Sequence, residues 1–281
     1  MESKIGSCFL GRTLELNDGK IYLAVTLDVG PRIIKMGKVG EESLMYEDVD
    51  DNVNKDVSNE YGEGKTWHIY GGHRIWISPE DETTYYPDCN PVAYELKENG
   101  AVFTPPAWTE RGVQPVLDVT FLEEGKVSVK MSLKNITDQE KTLCLWALTV
   151  MKCGGKLVVP LSTENTGYLA NRNLVIWHYN DIKDERFELE NDRLTLSSNP
   201  VCKGPFKVGT YLNPIHTEYT YGNTTFIKDV EVTAKASEYP DFCSNMETYT
   251  NQYIHEVETL SPFKNVLPGE ELVHEEIWSV K

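Results

Sequence analysis

The chain has 281 residues, with 27 lysines and arginines against 44 aspartates and glutamates, a formal net charge of −17. Such a charge repels nucleic acid and anionic membrane surfaces along their whole approach, so neither is expected as a partner. It leaves a neutral ligand such as a sugar open, and a local basic pocket can still hold a small anion.

From the N-terminus, residues 1–10 contain no apolar run long enough for a secretory signal, and no later stretch is long enough to span a bilayer, which points to a cytoplasmic protein. Lys20 to Asp28 reads as a strand ending at Val29-Gly30-Pro31, and Arg32 to Gly37 resumes after that turn. Asp50 to Lys65 is acidic and glycine-bearing and reads as a long loop or a short surface helix. Further strands are expected at residues 101–104, 116–121 and 127–133, the last two joined by the hairpin signal Glu123-Glu124-Gly125-Lys126. Residues 142–150, 174–179, 224–232 and 253–262 continue the series. Long 3.6-residue periodicities are nearly absent, so the expected fold class is all-β: one domain over residues 1–281, built of large antiparallel sheets packed face to face. Six cysteines are spread without a C-x-x-C pair, which fits free thiols better than a zinc knuckle or a disulfide framework.

Two segments concentrate chemistry. In Tyr253 to Pro262, period-2 geometry places Ile254, Glu256, Glu258 and Leu260 on one face and His255, Val257 and Thr259 on the other. Carboxylates sharing a face with aliphatics suit a strand that holds them inside a cleft; an edge strand with solvated acids is the alternative. In Trp67-His68-Ile69-Tyr70-Gly71-Gly72-His73-Arg74-Ile75-Trp76 the glycines permit close backbone approach or positive φ. They lead into a group that titrates near neutrality, a fixed fork of donors and a flat apolar face. A turn and strand with Trp76 in the core and His73 as a satisfied structural histidine is the other reading of that segment.

Tyr86-Pro87-Asp88 and Tyr239-Pro240-Asp241 read as two similar turns. Glu247, Glu256 and Glu258 fall within one hairpin-length segment and could converge as an oxygen-rich site, although no loop has the spacing of a calcium or zinc motif, and no metal or cofactor is assigned. G-x-S-x-G, H-E-x-x-H, P-loop and strand-linked G-x-G-x-x-G patterns are all missing. A two-carboxylate glycosidase would need a further acid, because Glu256 and Glu258 on one strand do not easily flank a scissile bond.

The ending Val257-Glu258-Thr259-Leu260-Ser261-Pro262, then Val266-Leu267-Pro268-Gly269-Glu270, resembles the C-terminal signature of galactose-mutarotase-like proteins, the aldose 1-epimerases. Together with Gly30-Pro31-Arg32, Gly71 to Trp76, the two Tyr-Pro-Asp turns, Asn171-Arg172 with Trp177, and Phe206 to Gly209, almost the whole chain resembles a bacterial branch of that superfamily. The resemblance implies a β-supersandwich with a concave, carbohydrate-binding sheet face. It further implies interconversion of the anomers of a hexose or modified sugar, in which a glutamate takes the anomeric hydroxyl proton and a histidine protonates the ring oxygen. By motif, Glu258 is the expected base, His73 the expected histidine, and Glu256 an acceptor for a sugar hydroxyl.

One part of the pattern is missing. Mutarotases carry their acid histidine near mid-chain, whereas Trp146 to Gly155 contains none; Met151 cannot donate a proton, and Lys152 could only with a depressed pKa. Either another residue such as His178 is the acid, or the protein binds a sugar without epimerising it, as a binding or sensing module. Arg32, Arg74, Lys152 and Lys207 bear on the ligand's charge: two or more converging in the cleft would indicate an anionic sugar, and scatter a neutral one. Trp76 and Glu247 complete the expected substrate-binding set.

Overall fold

The protein is described by a computed structural model covering residues 1–202 and 204–281. Among the described residues the strands form an 11-stranded sheet, a 10-stranded sheet and a two-stranded ribbon. The two large sheets pack face to face around a core to which Leu145, Val257, Met131 and Trp278 all contribute. Every expected strand is present with small shifts of its ends except residues 174–179, where only Val175–Ile176 pairs, against Phe206–Thr210. The ladder stops there because Asn180 takes over the next exchange with its side chain, donating to Lys207 O at 2.5 Å and accepting from Lys207 N at 3.0 Å. The hairpin at Glu123 forms, with Val113–Leu122 paired to Lys126–Asn135. The acidic stretch after Asp50 holds both the short helix Ser58–Tyr61 and the ribbon Asn54–Asp56 with Thr66–His68.

The middle of the 11-stranded sheet positions the site. Strand Lys141–Lys152 pairs antiparallel with Gly72–Ser78 on one side and Ile254–Leu260 on the other. Beyond Ile254–Leu260 come Met246–Thr250 and then Phe206–Thr210. All seven residues of Ile254–Leu260 are buried, so this strand is central, and the edge-strand reading is excluded. Residues 143–151 are a continuous buried run rather than an alternation because both faces of this strand are covered. Leu145, Ala147 and Met151 face the other sheet, and Trp146, Leu148 and Val150 belong to a second apolar cluster on the outer, concave side. Among the described residues, no helix is long and apolar enough to cross a membrane.

Candidate functional site

Gly71 and Gly72 set the start of strand Gly72–Ser78. Both have positive φ, 96° and 65°. A Cβ on Gly71 would lie 2.1 Å from the carbonyl oxygen of Tyr46, and one on Gly72 2.3 Å from that of Ile33. Only glycine lets the chain pass so close to those backbones. From there the strand alternates: Arg74 and Trp76 enter the concave face, while Ile75 and Ile77 join the inter-sheet core.

The concave face is walled by stacked indoles. Trp67 and Trp76 have ring centroids 5.5 Å apart at 20°, and Trp76 and Trp146 are 5.4 Å apart at 16°. Tyr85 stands edge-on to Trp67 and Trp76 at 5.1 and 5.0 Å. Trp177, Tyr179 and Tyr249 complete the aromatic lining of a cavity of about 400 Å³. Flat apolar walls with a few convergent polar groups are the usual make-up of a small-molecule site. A larger hollow of about 590 Å³ lies against strand Glu271–Val280, with walls mixing Val273, Phe263 and Ile277 with Glu231 and Glu275. It contains none of the buried side-chain atoms that lack a partner among the described residues, so the aromatic cavity is the better candidate.

Strand register assembles the charges. Glu258 lies between Leu148 and Glu247, and Arg74 lies beyond Leu148 in the same row. Glu256 sits beside Tyr249, which is beside Lys207. Lys207 Nζ is 2.8 Å from Glu247 Oε2 and 3.2 Å from Glu258 Oε2, and Trp146 Nε1 donates to Glu258 Oε2 at 2.8 Å. The same ammonium lies 4.4 Å from the ring centroid of Trp146 and 4.8 Å from that of Trp177. Arg74 packs against two indoles, its Cζ 4.1 Å from the centroid of Trp76 and 4.5 Å from that of Trp67. It is 3% exposed, and its Nε and Nη1 have no hydrogen-bond partner among the described residues.

Burial dominates the electrostatics of this row. It pushes Glu256 up to about 8, the charge of Glu258 adding to the effect and that of Arg74 opposing it. Glu247 is likewise pushed up to about 8 by burial, against the pull of Lys207. Burial raises Glu258 as well, but there Lys207 and the Trp146 N–H favour the ionised form. For Lys207, burial alone would lower the pKa; the charges of Glu258 and Glu247 hold it well above its ordinary value. Arg74 is lowered to about 10, first by burial and then by the charge of Arg32.

Solved structures of the same shape fix what this architecture is. A galactose mutarotase-like protein from Lactobacillus casei superposes with a TM-score of 0.59 at 12% identity, over 96% of this chain and 100% of that one. One from Clostridium acetobutylicum gives 0.60 at 9% identity, over 100% and 98%. A candidate aldose 1-epimerase from Klebsiella pneumoniae gives 0.61 at 11% identity, over 96% and 79%. The chain has the galactose mutarotase-like fold. No family model and no curated protein matches its sequence.

Within the mutarotase-like sandwich, the expected site residues divide. Arg74, Trp76 and Glu256 line the cavity. Glu258 and Glu247, both 0% exposed, lie behind that lining and meet at Lys207. Their convergence is therefore around an ammonium, and among the described residues no group of three or more His, Cys, Asp or Glu side chains is placed to hold a metal.

His73 is elsewhere. One residue before Arg74 it points between the sheets, where Nδ1 is 2.9 Å from Thr149 Oγ1, Nε2 is 3.1 Å from Met131 Sδ, and burial lowers its pKa to about 3. Arg32 is buried but committed to Asp88 of the first Tyr-Pro-Asp turn, with Nη2 to Oδ1 at 2.8 Å. Lys152 reaches outward to Glu42 at 3.3 Å. His178 is exposed between Trp177 and Tyr179, the neighbours that do line the cavity. Among the described residues no histidine lines it.

The sequence places Trp67 in the cluster that ends at Trp76 and Tyr85 beside the first Tyr-Pro-Asp turn, but it assigns no site role to them or to Trp146, Tyr179 and Tyr249, all of which line the cavity. The signal available for Trp146 was its parity with Leu148 and Val150 in a strand too apolar to have one solvated face.

Proposed function

We propose that the aromatic cavity binds a small carbohydrate and that Glu256 exchanges protons with it at the anomeric centre, in the manner of an aldose 1-epimerase. The observation that carries this reading is the position of Glu256, a residue 9% exposed that lines the cavity among indole and phenol walls. Its elevated pKa, about 8, keeps it in the acid form near neutrality.

A protonated carboxyl is at once an O–H donor and a carbonyl acceptor. Its O–H protonates the ring oxygen while its other oxygen takes the proton of the anomeric hydroxyl. The bond from the anomeric carbon to the ring oxygen breaks, the anomeric C–O becomes a carbonyl, and the carboxyl is regenerated with its two oxygens exchanged. Rotation about the adjoining C–C bond and the reverse step close the ring on the other face. This route uses no histidine, which accords with a cavity that has none along its lining among the described residues. Glu258, which the motif marks as a base, acts behind it: paired with Lys207, it supplies the negative charge that helps keep Glu256 protonated.

The second reading is a binding module without turnover. It is favoured by the same lack of a histidine and by the burial of Glu258 beneath Lys207 and Trp146. NMR exchange between α and β anomers, over a panel of neutral, acidic and phosphorylated sugars, separates the two. Acceleration that is lost in Glu256→Gln supports proton transfer by Glu256. Ligand line broadening with no faster exchange in the wild type makes the cleft a binding site alone.

A further inference from the structure

We propose that the ligand of this cleft carries an anionic group, a carboxylate or a phosphate, and that Arg74 is its anchor. The inference rests on the carbohydrate reading above and narrows it to acidic or phosphorylated sugars.

This protein pairs its other buried cations with carboxylates. Arg32 forms a two-pronged pair with Asp88, and Arg186 one with Asp184 at 2.6 Å. Lys228 is 2.8 Å from Glu276. Lys207 sits between Glu247 and Glu258. Among the described residues Arg32 Nε and Arg186 Nη1 lack an acceptor, but both guanidiniums are paired with a carboxylate through their other nitrogens. Arg74 is as deeply buried, has no carboxylate partner, and its Nε and Nη1 meet no acceptor among the described residues. A chain with 44 acidic residues does not lack partners to place there.

What Arg74 does have is two indoles, Trp67 and Trp76, and ring contacts of this kind satisfy the charge without using the N–H donors. The guanidinium is rigid and planar, and two adjacent N–H donors along one of its edges, Nη2 with Nε or Nη2 with Nη1, match two oxygens of one carboxylate or phosphate. Arg74 lines the cavity, and so does Glu256, whose carboxyl feels the guanidinium's charge. Arg74 pairs with Leu148 and Glu256 with Val150 on the one intervening strand, so their backbones stand two strand spacings across and two residues along, roughly 12 Å apart. A monosaccharide can span from the anchor to the carboxyl on that scale, its ring against Trp76 and Trp146.

Calorimetric titration with D-glucose, D-glucuronate, D-glucose 6-phosphate, acetate and inorganic phosphate tests the proposal. It is run beside the Nε–H NMR signal of Arg74, in the wild type and in Arg74→Gln. The expected result is at least about tenfold tighter binding of glucuronate or glucose 6-phosphate than of glucose, lost in Arg74→Gln, with a shift of the Arg74 signal on saturation. Which of the two acids gains distinguishes a carboxylate from a phosphate ligand. Equal affinity for neutral and acidic sugars, or a preference that survives in Arg74→Gln, overturns the anchor while leaving the carbohydrate reading standing. Acetate or phosphate shifting the Arg74 signal while no sugar binds keeps the anchor and removes the carbohydrate. Silence towards all five probes overturns both. The wild-type comparison holds even if Arg74→Gln folds poorly.

Discussion

Glu256 and Glu258 stand two residues apart on one face of the same strand, yet one lines the cavity and the other is sealed beneath Lys207 and Trp146. Environment rather than residue type therefore decides which carboxyl meets a ligand. Glu256→Gln is expected to lower anomer exchange by about 10²–10⁴-fold, the range typical of a lost general acid or base. Gln keeps the shape and loses the transferable proton, so ligand affinity should stay within a few-fold. Exchange spectroscopy paired with calorimetry measures both, and an unchanged rate would exclude Glu256 from the chemistry.

The proposed role of this carboxyl predicts a pH profile for anomer exchange. The bifunctional step needs the protonated form, which persists up to about 8 because burial holds the proton on. Exchange should therefore be flat on the acid side of that value and fall as pH rises through it. A histidine acting as acid would instead lose its proton around its ordinary value, about 6.5. A rate that falls there, well before the pH reaches that of Glu256, would count against the carboxyl mechanism.

His73 supplies a contrasting test. It lies edge-on to Trp278 at 4.8 Å and bonds Thr149, in a buried network in which Lys228 and Glu276 also meet. His73→Gln should cost stability, by about 1–3 kcal/mol for disturbed buried hydrogen bonds, and leave exchange within a few-fold of the wild type. Urea unfolding and the exchange assay on the same sample decide between a structural and a catalytic histidine.

These contrasts show what the sequence could and could not convey. The face shared by Glu256 and Glu258 was legible because a strand has period 2 and the aliphatics around the acids marked the buried side. Arg74 and Trp76 were legible because two glycines announced a constrained entry. His73 was misplaced by a single residue, and in a strand one residue is a change of face. His178 lies past the end of strand Val175–Ile176, in a turn that exposes it while Trp177 and Tyr179 on either side line the cavity. The pairing of Lys207 with Glu247 and Glu258 depends on register across neighbouring strands, for which the local pattern has no symbol.

Lys207 is the hub of that register. Replacing it by methionine fills the space against Trp146 and Trp177 but strands Glu247 and Glu258 without a counter-charge. A cost of about 3–5 kcal/mol is expected for breaking a buried pair from one side. Adding Glu258→Gln should recover part of it, because fewer carboxylates are then left unpaired. A double-mutant cycle in urea measures the coupling, and strictly additive costs would mean that the ion pair contributes nothing specific.

Buried acids also predict how stability itself responds to pH. Glu247 and Glu256 hold their protons up to about 8 when folded, well above their ordinary value of 4.5, because burial penalises the ionised form. Below the ordinary value both states are protonated and the contribution is fully present. As pH climbs towards that of the folded groups, the unfolded chain releases protons that the folded chain retains, so stability falls, and it levels off beyond. The buried histidines act the other way and at lower pH. His73 and His255 are held near 3 and His274 near 4 by burial, so the unfolded chain gains protons first as pH drops below the ordinary histidine range. Between about pH 6.5 and about pH 9 the glutamates therefore dominate, with an expected loss on the order of 1–2 kcal/mol per group. Urea midpoints across that window should decline in the wild type and decline less in Glu256→Gln. An equal decline in both would mean that Glu256 ionises as readily in the folded protein as in the unfolded chain, and that its proton is not held by burial.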